Sequence, residues 1–155
     1  PSEKRVLIAL KRISFFAIFK LSIMRKTLET SVAFLSFEDD ILLVKMKEGI
    51  NLDQAEMEQL LKQAVEFTSP NKYFAIIDTT ALYDSTPESR SFYAESDYSN
   101  YRYADAFIVN SLPMRLLVNF FITFNKPKIP SKMFNNEESA LNWIQSLKKE
   151  MLKKA

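Results

Sequence analysis

Apolar residues first recur at nearly alternating positions and then at helical spacing, which predicts a β-hairpin followed by a helix. Residues 31–37 form a half-buried strand candidate, Ile41–Met46 is a second apolar run, and the acidic residues 38–40 predict the turn between them. Asn51 or Asp53 is placed to cap the following helix. The buried face of that helix follows the i, i+3, i+4, i+7, i+8 spacing and comprises Met57, Leu60, Leu61, Ala64 and Val65.

Two continuous apolar runs follow, and each predicts a strand that is buried on both faces of a parallel sheet. They are Tyr73–Asp78 and residues 104–109. Between them, Ser85 and Glu88 have the spacing of a capping box, and Pro87 lies where the first helical turn would begin. This pattern predicts a helix with Ser85 as its N-cap.

The last third of the chain predicts a helix, a short edge strand and a final helix. The first of these begins at Ser111 and runs to about Phe124, and Ser131–Phe134 is the strand candidate. Asn135 and Glu138 repeat the capping-box spacing before the final helix. Its predicted buried residues are Leu141, Ile144 and Leu147.

The predicted element order is β-β-α-β-α-β-α-β-α. Alternation of strands and helices predicts an α/β fold with a mixed, mainly parallel sheet, to which the N-terminal β-hairpin adds an antiparallel strand. The length of 155 residues fits one domain, and a hydrophobic content of 47% is enough to build its core.

The composition removes several classes of function. The chain has no cysteine and no histidine, which excludes thiol nucleophiles, thiolate metal sites and Ser-His-Asp catalysis. It has a single glycine, Gly49, so neither glycine-rich nucleotide-binding loop can form. A net charge of +2, from 21 basic and 19 acidic residues, is too even to indicate nucleic-acid binding. We therefore expect a non-enzymatic protein with no cofactor, no metal and no nucleic-acid partner, and the lack of cysteine suits a cytoplasmic location.

Residues 1–23 differ from the remainder of the chain. Five of their six charged residues are basic, and Lys11 and Arg12 interrupt the apolar runs, so these runs are shorter than the roughly 20 apolar residues of a membrane span. From Met24 onwards the pattern is that of an ordinary domain start. We expect residues 24–155 to form the domain and residues 1–23 to lie outside it, through a misassigned start or as an amphipathic segment. Membrane contact is expected only if residues 1–23 are native.

Candidate binding residues gather at the predicted carboxyl ends of the parallel strands, where open α/β sheets bind ligands. Helix N-termini at this edge would offer free N–H groups to an anion. Three interpretations of residues 84–86 stay open, namely a helix cap, an anion site and a phosphoacceptor, and capping is favoured because Ser and Thr are preferred N-cap residues. The candidate set is Asp78, Asp84, Ser85, Thr86, Asn110, Ser111 and Arg115.

A tyrosine-rich stretch follows the second predicted helix. Stacking on a nucleobase is one interpretation, but four acidic residues in the same region disfavour a phosphate track, so packing or contact with a partner is favoured. The stretch contains Tyr93, Tyr98, Tyr101 and Tyr103 with Arg90 and Arg102, and the acidic residues are Glu88, Glu95, Asp97 and Asp105.

The element order and the segment ALYDSTPES, residues 81–89, resemble the STAS domain of anti-sigma-factor antagonists. In that family an Asp-Ser-Ser/Thr-Gly segment caps the second helix, and its serine is the phosphoacceptor. Asp84, Ser85 and Thr86 match the first three positions, and Pro87 stands where the family has glycine. The later segment VNSLPMRLLVNFFITFNKPKIPSKMF is similar to a STAS/SEC14-like group of small bacterial proteins. The resemblance covers the chain from about Thr27 onwards and implies a STAS-like fold.

The resemblance implies a regulatory or interaction module that acts by contact with a protein partner. The alternative is a SEC14-like binder of a small apolar or anionic ligand. Thirteen phenylalanines permit an apolar cavity but equally permit a solid core.

The helix that begins near Ser111 predicts an association surface. Its polar residues, Arg115, Asn119 and Thr123, form one narrow stripe, and apolar residues cover the remaining circumference. A helix on the outside of a monomer usually has a wider polar face. We therefore expect this helix to be buried on more than one side, in a homodimer or under residues 1–23.

Overall fold

The computed structural model of the chain describes residues 25–155, so the predictions for residues 1–23 lie outside the described residues. Eight strands are numbered in chain order: β1 Lys26–Glu29, β2 Ala33–Glu38, β3 Ile41–Met46, β4 Asn51–Leu52, β5 Tyr73–Asp78, β6 Asp84–Ser85, β7 Arg102–Ile108 and β8 Ser131–Phe134. The α-helices are α1 Gln54–Thr68, α2 Pro87–Glu95, α3 Leu112–Phe120 and α4 Glu137–Lys154. A 3₁₀ helix, Asp97–Tyr101, follows α2, and a π-helical turn, Phe121–Asn125, extends α3. None of the helices within residues 25–155 is long and apolar enough to cross a membrane.

The main sheet has the strand order β1-β2-β3-β5-β7-β8. The pairs β1–β2 and β2–β3 are antiparallel, and the pairs β3–β5, β5–β7 and β7–β8 are parallel. This confirms the predicted α/β class with a mixed, mainly parallel sheet and an N-terminal hairpin. The edge position predicted for β8 is also confirmed.

Three strands were not predicted. β1 forms the other edge of the sheet, and its four residues are exposed except for the half-buried Leu28, so the segment lacks the alternation that marks a strand. β4 and β6 are two residues each and pair in parallel outside the main sheet, with Asn51 opposite Asp84 and Leu52 opposite Ser85. Strands this short carry no periodicity, so only the long-range pairing defines them.

The β2–β3 hairpin closes through a two-residue turn rather than the three residues predicted. Asp39 and Asp40 both have positive φ, at 50° and 61°, as a type I′ turn requires. Glu38 instead pairs with Ile41 at the end of the ladder. Aspartate tolerates the left-handed region better than most residues do, which allows this turn without glycine.

The helices cover the two faces of the sheet unequally. α1, α2 and α3 pack on one face in the larger core, which includes Leu42, Leu61 and Phe107. α4 packs on the other face, where Ala140 and Ile144 are fully buried. Leu141, predicted to be buried in α4, is 37% exposed, because its position on the helix turns it away from the sheet.

Two of the predicted helix caps are displaced by one residue. Asp53 caps α1 with a complete capping box to Glu56, which confirms one of the two residues proposed there. The N-cap of α2 is Thr86, whose hydroxyl accepts from the Ser89 N–H, and Ser85 is not the cap. The reason is that β6 holds Ser85 in extended conformation and Pro87 occupies the first helical position.

The final helix shows the same displacement. Asn136 caps α4 by accepting from the Ser139 N–H at 2.8 Å. Asn135, which was predicted as the cap, instead accepts a hydrogen bond from Arg115 of α3. Ser111 caps α3 as predicted, through the Met114 N–H.

Candidate functional site

A cavity of about 90 Å³ lies between the sheet and helices α1, α2 and α3. Its walls are mostly leucine, methionine and other apolar side chains from β3, β5, α1 and α3, such as Leu42, Met57, Leu60 and Ala75. The lining also includes polar side chains, namely Ser85 and Arg90 beside the first turn of α2, and Tyr73, Tyr83, Tyr93 and Arg102. The cavity is therefore an apolar space with a cationic end, by which we mean the part of its lining formed by Ser85 and Arg90.

Arg90, one turn into α2, defines the cationic end of the cavity. Its Nη1 donates to the backbone carbonyl of Ser85 and, at 3.2 Å, to the Ser85 hydroxyl. Its Nε is buried, and no atom of the described residues accepts a hydrogen bond from it. Within residues 25–155 no carboxylate lies within ion-pair distance of this guanidinium.

A second guanidinium on the cavity wall is fully paired. Arg102, 2% exposed, donates from Nε to Asp105 Oδ1 at 2.9 Å, and Asp105 is completely buried. Tyr93 donates from its hydroxyl to Asp105 Oδ2 at 2.8 Å. The Tyr93 ring lies 4.4 Å from the Arg102 guanidinium carbon, in cation–π contact. These three side chains form the buried triad, a network that joins α2 to β7.

A β-bulge makes the buried triad possible. Residues three apart in a regular strand face opposite sides of the sheet, yet Arg102 and Asp105 face the same side. The ladder between β5 and β7 shifts register, since Tyr73 pairs with Arg102 whereas Ala75 pairs with Asp105. The extra residue in β7 restores Arg102 to the side that faces the helices.

The ionisation of the cavity wall is set by burial. Burial raises the pKa of Tyr73 to about 12 and also raises the pKa of Tyr83 and of Tyr93. Burial alone would lower the pKa of Arg102, but the Asp105 carboxylate together with Tyr93 and Tyr73 outweighs burial and raises that pKa. At neutral pH these tyrosines are therefore neutral hydrogen-bonding groups rather than general bases.

The candidate residues of the Asp84-Ser85-Thr86 segment have separate roles in the structure. Ser85 lines the cavity and accepts from Arg90. Thr86 caps α2, and Asp84 is exposed in β6. Asp78, at the end of β5, accepts from the Thr80 N–H at 2.9 Å. Of these four, the structure brings Ser85 alone to the cavity.

The remaining candidates lie around the N-terminus of α3. Asn110 is exposed, and Ser111 is the N-cap of that helix. Arg115 is also exposed and donates to Asn135 Oδ1 at 2.8 Å, which ties α3 to the segment after β8. None of the three lines the cavity. Within the described residues, no cluster of acidic side chains has the arrangement of a metal site.

Arg90 and the buried triad were not among the candidate site residues. The sequence did show them as a tyrosine–arginine stretch, for which packing or contact with a partner was favoured. Arg102 and Asp105 are buried and Tyr93 is half-buried, which agrees with packing. Tyr101, from the same stretch, is 48% exposed. No local spacing marks Arg90 as a cavity residue, because its place there depends on the pairing of β4 with β6.

The outer surface of α3 and its π-helical turn carries a row of exposed apolar side chains. Leu112, Leu116, Phe120 and Phe124 are 67%, 61%, 46% and 68% exposed, and we call this row the α3 stripe. The rings of Phe120 and Phe124 are 4.6 Å apart. The opposite side of the helix is buried through Met114, Val118 and Phe121, so the described residues cover α3 on one side.

Comparison with known proteins gives a family and three similar solved chains. The crystal structure of an uncharacterised protein of the DUF3478 family from Shewanella loihica PV-4, described as having a SpoIIAA-like fold, is similar over 77% of this chain and 90% of its own, with a TM-score of 0.48 and 18% identity. No curated protein matches the chain.

The mixed, mainly parallel sheet that the resemblance implied is present in the structure, and the family match names no activity. A family model matches residues 35–148, from the middle of β2 to the later turns of α4. This range includes the cavity, the buried triad and the α3 stripe. The chain therefore belongs to the DUF7793 family, a domain of unknown function.

Proposed function

We propose that the protein is a non-enzymatic interaction module of STAS-like fold that makes its contacts through the α3 stripe. The observation that carries this proposal is the exposure of four large apolar side chains in one row, with Leu112 and Phe124 each about two-thirds exposed. Exposed apolar residues are ordinary when they are scattered, whereas a contiguous row marks an interaction site.

The partner that we propose is a second copy of the chain. The members of the α3 stripe are spaced four residues apart, so they form a ridge of the i±4n type, and two such ridges pack into each other's grooves at about −50°. A two-fold axis would bring the same ridge from both subunits. Arg115 is next to Leu116 in the chain and donates to Asn135 Oδ1, which directs its side chain towards the segment after β8.

The size of the stripe sets the expected strength of the contact. A stable interface buries roughly 800 Å² on each partner, and four partly exposed side chains supply only part of that area. We therefore expect neighbouring residues such as Asn119 and Thr123 to form a polar rim, and the dimer to dissociate on dilution.

The volume of the cavity limits the SEC14-like alternative to a small ligand. Sites for drug-sized ligands usually measure about 300–1,000 Å³, whereas this cavity measures about 90 Å³. Modification of Ser85 or Thr86 as a phosphoacceptor, and a cytoplasmic location, stay predictions.

Light scattering across a dilution series tests the proposal. We expect the wild type to be dimeric at high concentration and Leu116→Glu to be monomeric, because a carboxylate in the centre of the stripe would be desolvated without a partner. Leu152→Glu is the matched control, since Leu152 is 78% exposed in the last turn of α4 on the other face of the sheet, and it should dimerise normally. A wild type that is monomeric at every concentration, or a Leu116→Glu variant that dimerises as the control does, would contradict the proposal.

A further inference from the structure

We propose that the cavity between the sheet and helices α1–α3 binds a short-chain carboxylate, whose anionic group pairs with Arg90 and whose hydrocarbon tail packs among the apolar walls. This site is separate from the α3 stripe, because the stripe lies on the outer side of α3 and the cavity lies on its inner side.

The charge of the cavity favours an anion. Its lining includes two arginines and no carboxylate, and the guanidinium of Arg102 is already neutralised by Asp105 behind the wall. Arg90 has no such partner within the described residues, and its Nε–H is buried without an acceptor. Arg90 as a whole is half-buried, but its Nε–H is buried, and buried donors are normally satisfied. A carboxylate that accepts from this Nε–H would satisfy it and would pair with the guanidinium charge.

The guanidinium of Arg90 is also held in place for such a ligand. Its Nη1 is fixed by the carbonyl and hydroxyl oxygens of Ser85, and its Nε–H has no acceptor within the described residues. A guanidinium binds a carboxylate through planar N–H donors, whereas inorganic phosphate or chloride would leave the apolar walls unfilled. Because Ser85 already orients Arg90, little further ordering is needed on binding.

The volume limits the tail. An engineered apolar cavity of about 150 Å³ accepts benzene, and this cavity measures about 90 Å³. The tail should therefore contain no more than about four or five carbons by that comparison. Butyrate and isobutyrate fit this limit, and octanoate exceeds it.

Titration of isotopically labelled protein with butyrate, followed by amide chemical shifts, tests the proposal. We expect saturable shifts that map to cavity residues in α1, α2 and β5, with millimolar affinity. Butyramide, which has the same shape without the charge, should bind at least about tenfold more weakly, because a hydrogen bond to a charged group contributes more than a neutral one. Inorganic phosphate and octanoate should not produce the cavity shifts.

Two variants separate the roles of charge and space. Arg90→Gln should reduce butyrate affinity by about tenfold or more and abolish the preference over butyramide. Ala75→Val retains Arg90 but adds two methyl groups to the cavity wall, so it should block butyrate binding while keeping the wild-type fold. Arg115→Gln, which removes an exposed arginine outside the cavity, should bind butyrate normally.

Three results would overturn the proposal. The first is the absence of saturable cavity shifts with butyrate, which would mean that water alone satisfies the Arg90 Nε–H. The second is equal binding of butyrate and butyramide. The third is unchanged butyrate binding in a folded Ala75→Val variant, which would place the ligand elsewhere.

Discussion

Replacing Asp105 by asparagine tests whether the charge of Arg102 is neutralised within the buried triad, without access to water. Asp105 is fully buried and accepts from Arg102 Nε at 2.9 Å, Arg102 Nη2 at 3.3 Å and the Tyr93 hydroxyl at 2.8 Å. Asparagine has nearly the same shape, so it creates no cavity. It removes the charge and turns one acceptor into an NH₂ group that would face other donors.

The expected magnitude follows from the burial of Arg102. With 2% of its side chain exposed, the guanidinium cannot recover hydration when its counter-ion is lost. Removing one partner of a buried pair typically costs about 3–5 kcal/mol. Because domains are stable by only about 5–15 kcal/mol, we expect Asp105→Asn to lose a large part of the free energy of unfolding.

Urea unfolding, followed by far-UV circular dichroism and by the fluorescence of the single tryptophan, Trp143, provides the assay. The midpoint should fall and the slope should stay constant, because the surface exposed on unfolding hardly changes. Asp97→Asn is the control. Asp97 is 95% exposed and lies 3.9 Å from Lys128, so its replacement should change stability by less than about 0.5 kcal/mol.

A triple variant makes the test sharper. Arg102→Met, Asp105→Leu and Tyr93→Phe together remove every polar group of the buried triad, and the group that loses a partner outside it is the Tyr98 carbonyl, which accepts from Arg102 Nη1 at 3.4 Å. Replacing a buried ion pair by apolar residues of similar volume often changes stability little, so the triple variant should be more stable than Asp105→Asn alone. The contrary result is that Asp105→Asn lowers the free energy of unfolding by less than about 1 kcal/mol, which is the range for an ordinary hydrogen bond. Arg102 would then have to reach water, and the claim that its charge is neutralised within the buried triad would be refuted.

Three further predictions concern pH, a cap and a turn. Burial raises the pKa of Tyr73 to about 12 from 10.0, so Tyr73 loses its proton at lower pH in the unfolded state than in the folded state. The free energy of unfolding should therefore fall as pH rises from 10 towards 12. Denaturant unfolding at pH 9 and pH 11 checks this, and equal stability at both would contradict it. Thr86→Ala should lower the free energy of unfolding by about 0.5–2 kcal/mol through the loss of an N-cap, and Ser85→Ala should lower it less. If thermal unfolding showed the reverse order, Ser85 would be the cap. Asp40→Gly should raise the melting temperature, because Asp40 has a φ of 61° and glycine adopts this conformation without strain; a lower melting temperature would show that the aspartate side chain stabilises the turn.

The sequence determined the secondary structure wherever a long periodic segment carries it. β5 has the predicted bounds, and four of the five residues predicted for the buried face of α1 are buried, whereas Val65 is half-buried. The reason is that the period of the hydrophobic pattern reports directly which side of an element meets the core. The α/β class followed, since parallel strands need helical crossovers. Strands without a period, such as β1 and β4, could not be predicted.

The helix caps show that local sequence patterns locate a helix N-terminus to within one residue. Ser85 and Thr86 are both good N-cap residues, and the spacing from Ser85 to Glu88 favoured the first. The pairing of β6 with β4 holds Ser85 in a strand, and that pairing joins segments more than thirty residues apart. The choice between adjacent candidates is therefore made by a contact that is remote in sequence.

The tertiary structure alone decided the candidate site. Arg102 and Asp105 would face opposite sides of a regular strand, and the bulge against β5 places them together. Arg90 reaches the cavity because β6 positions Ser85 beneath α2. The apolar residues of α3 were evident in the sequence, but which of them are exposed depends on the way the helix lies on the sheet. Periodicity is a local property that the sequence records, whereas burial, charge pairing and cavity shape arise from contacts between distant segments.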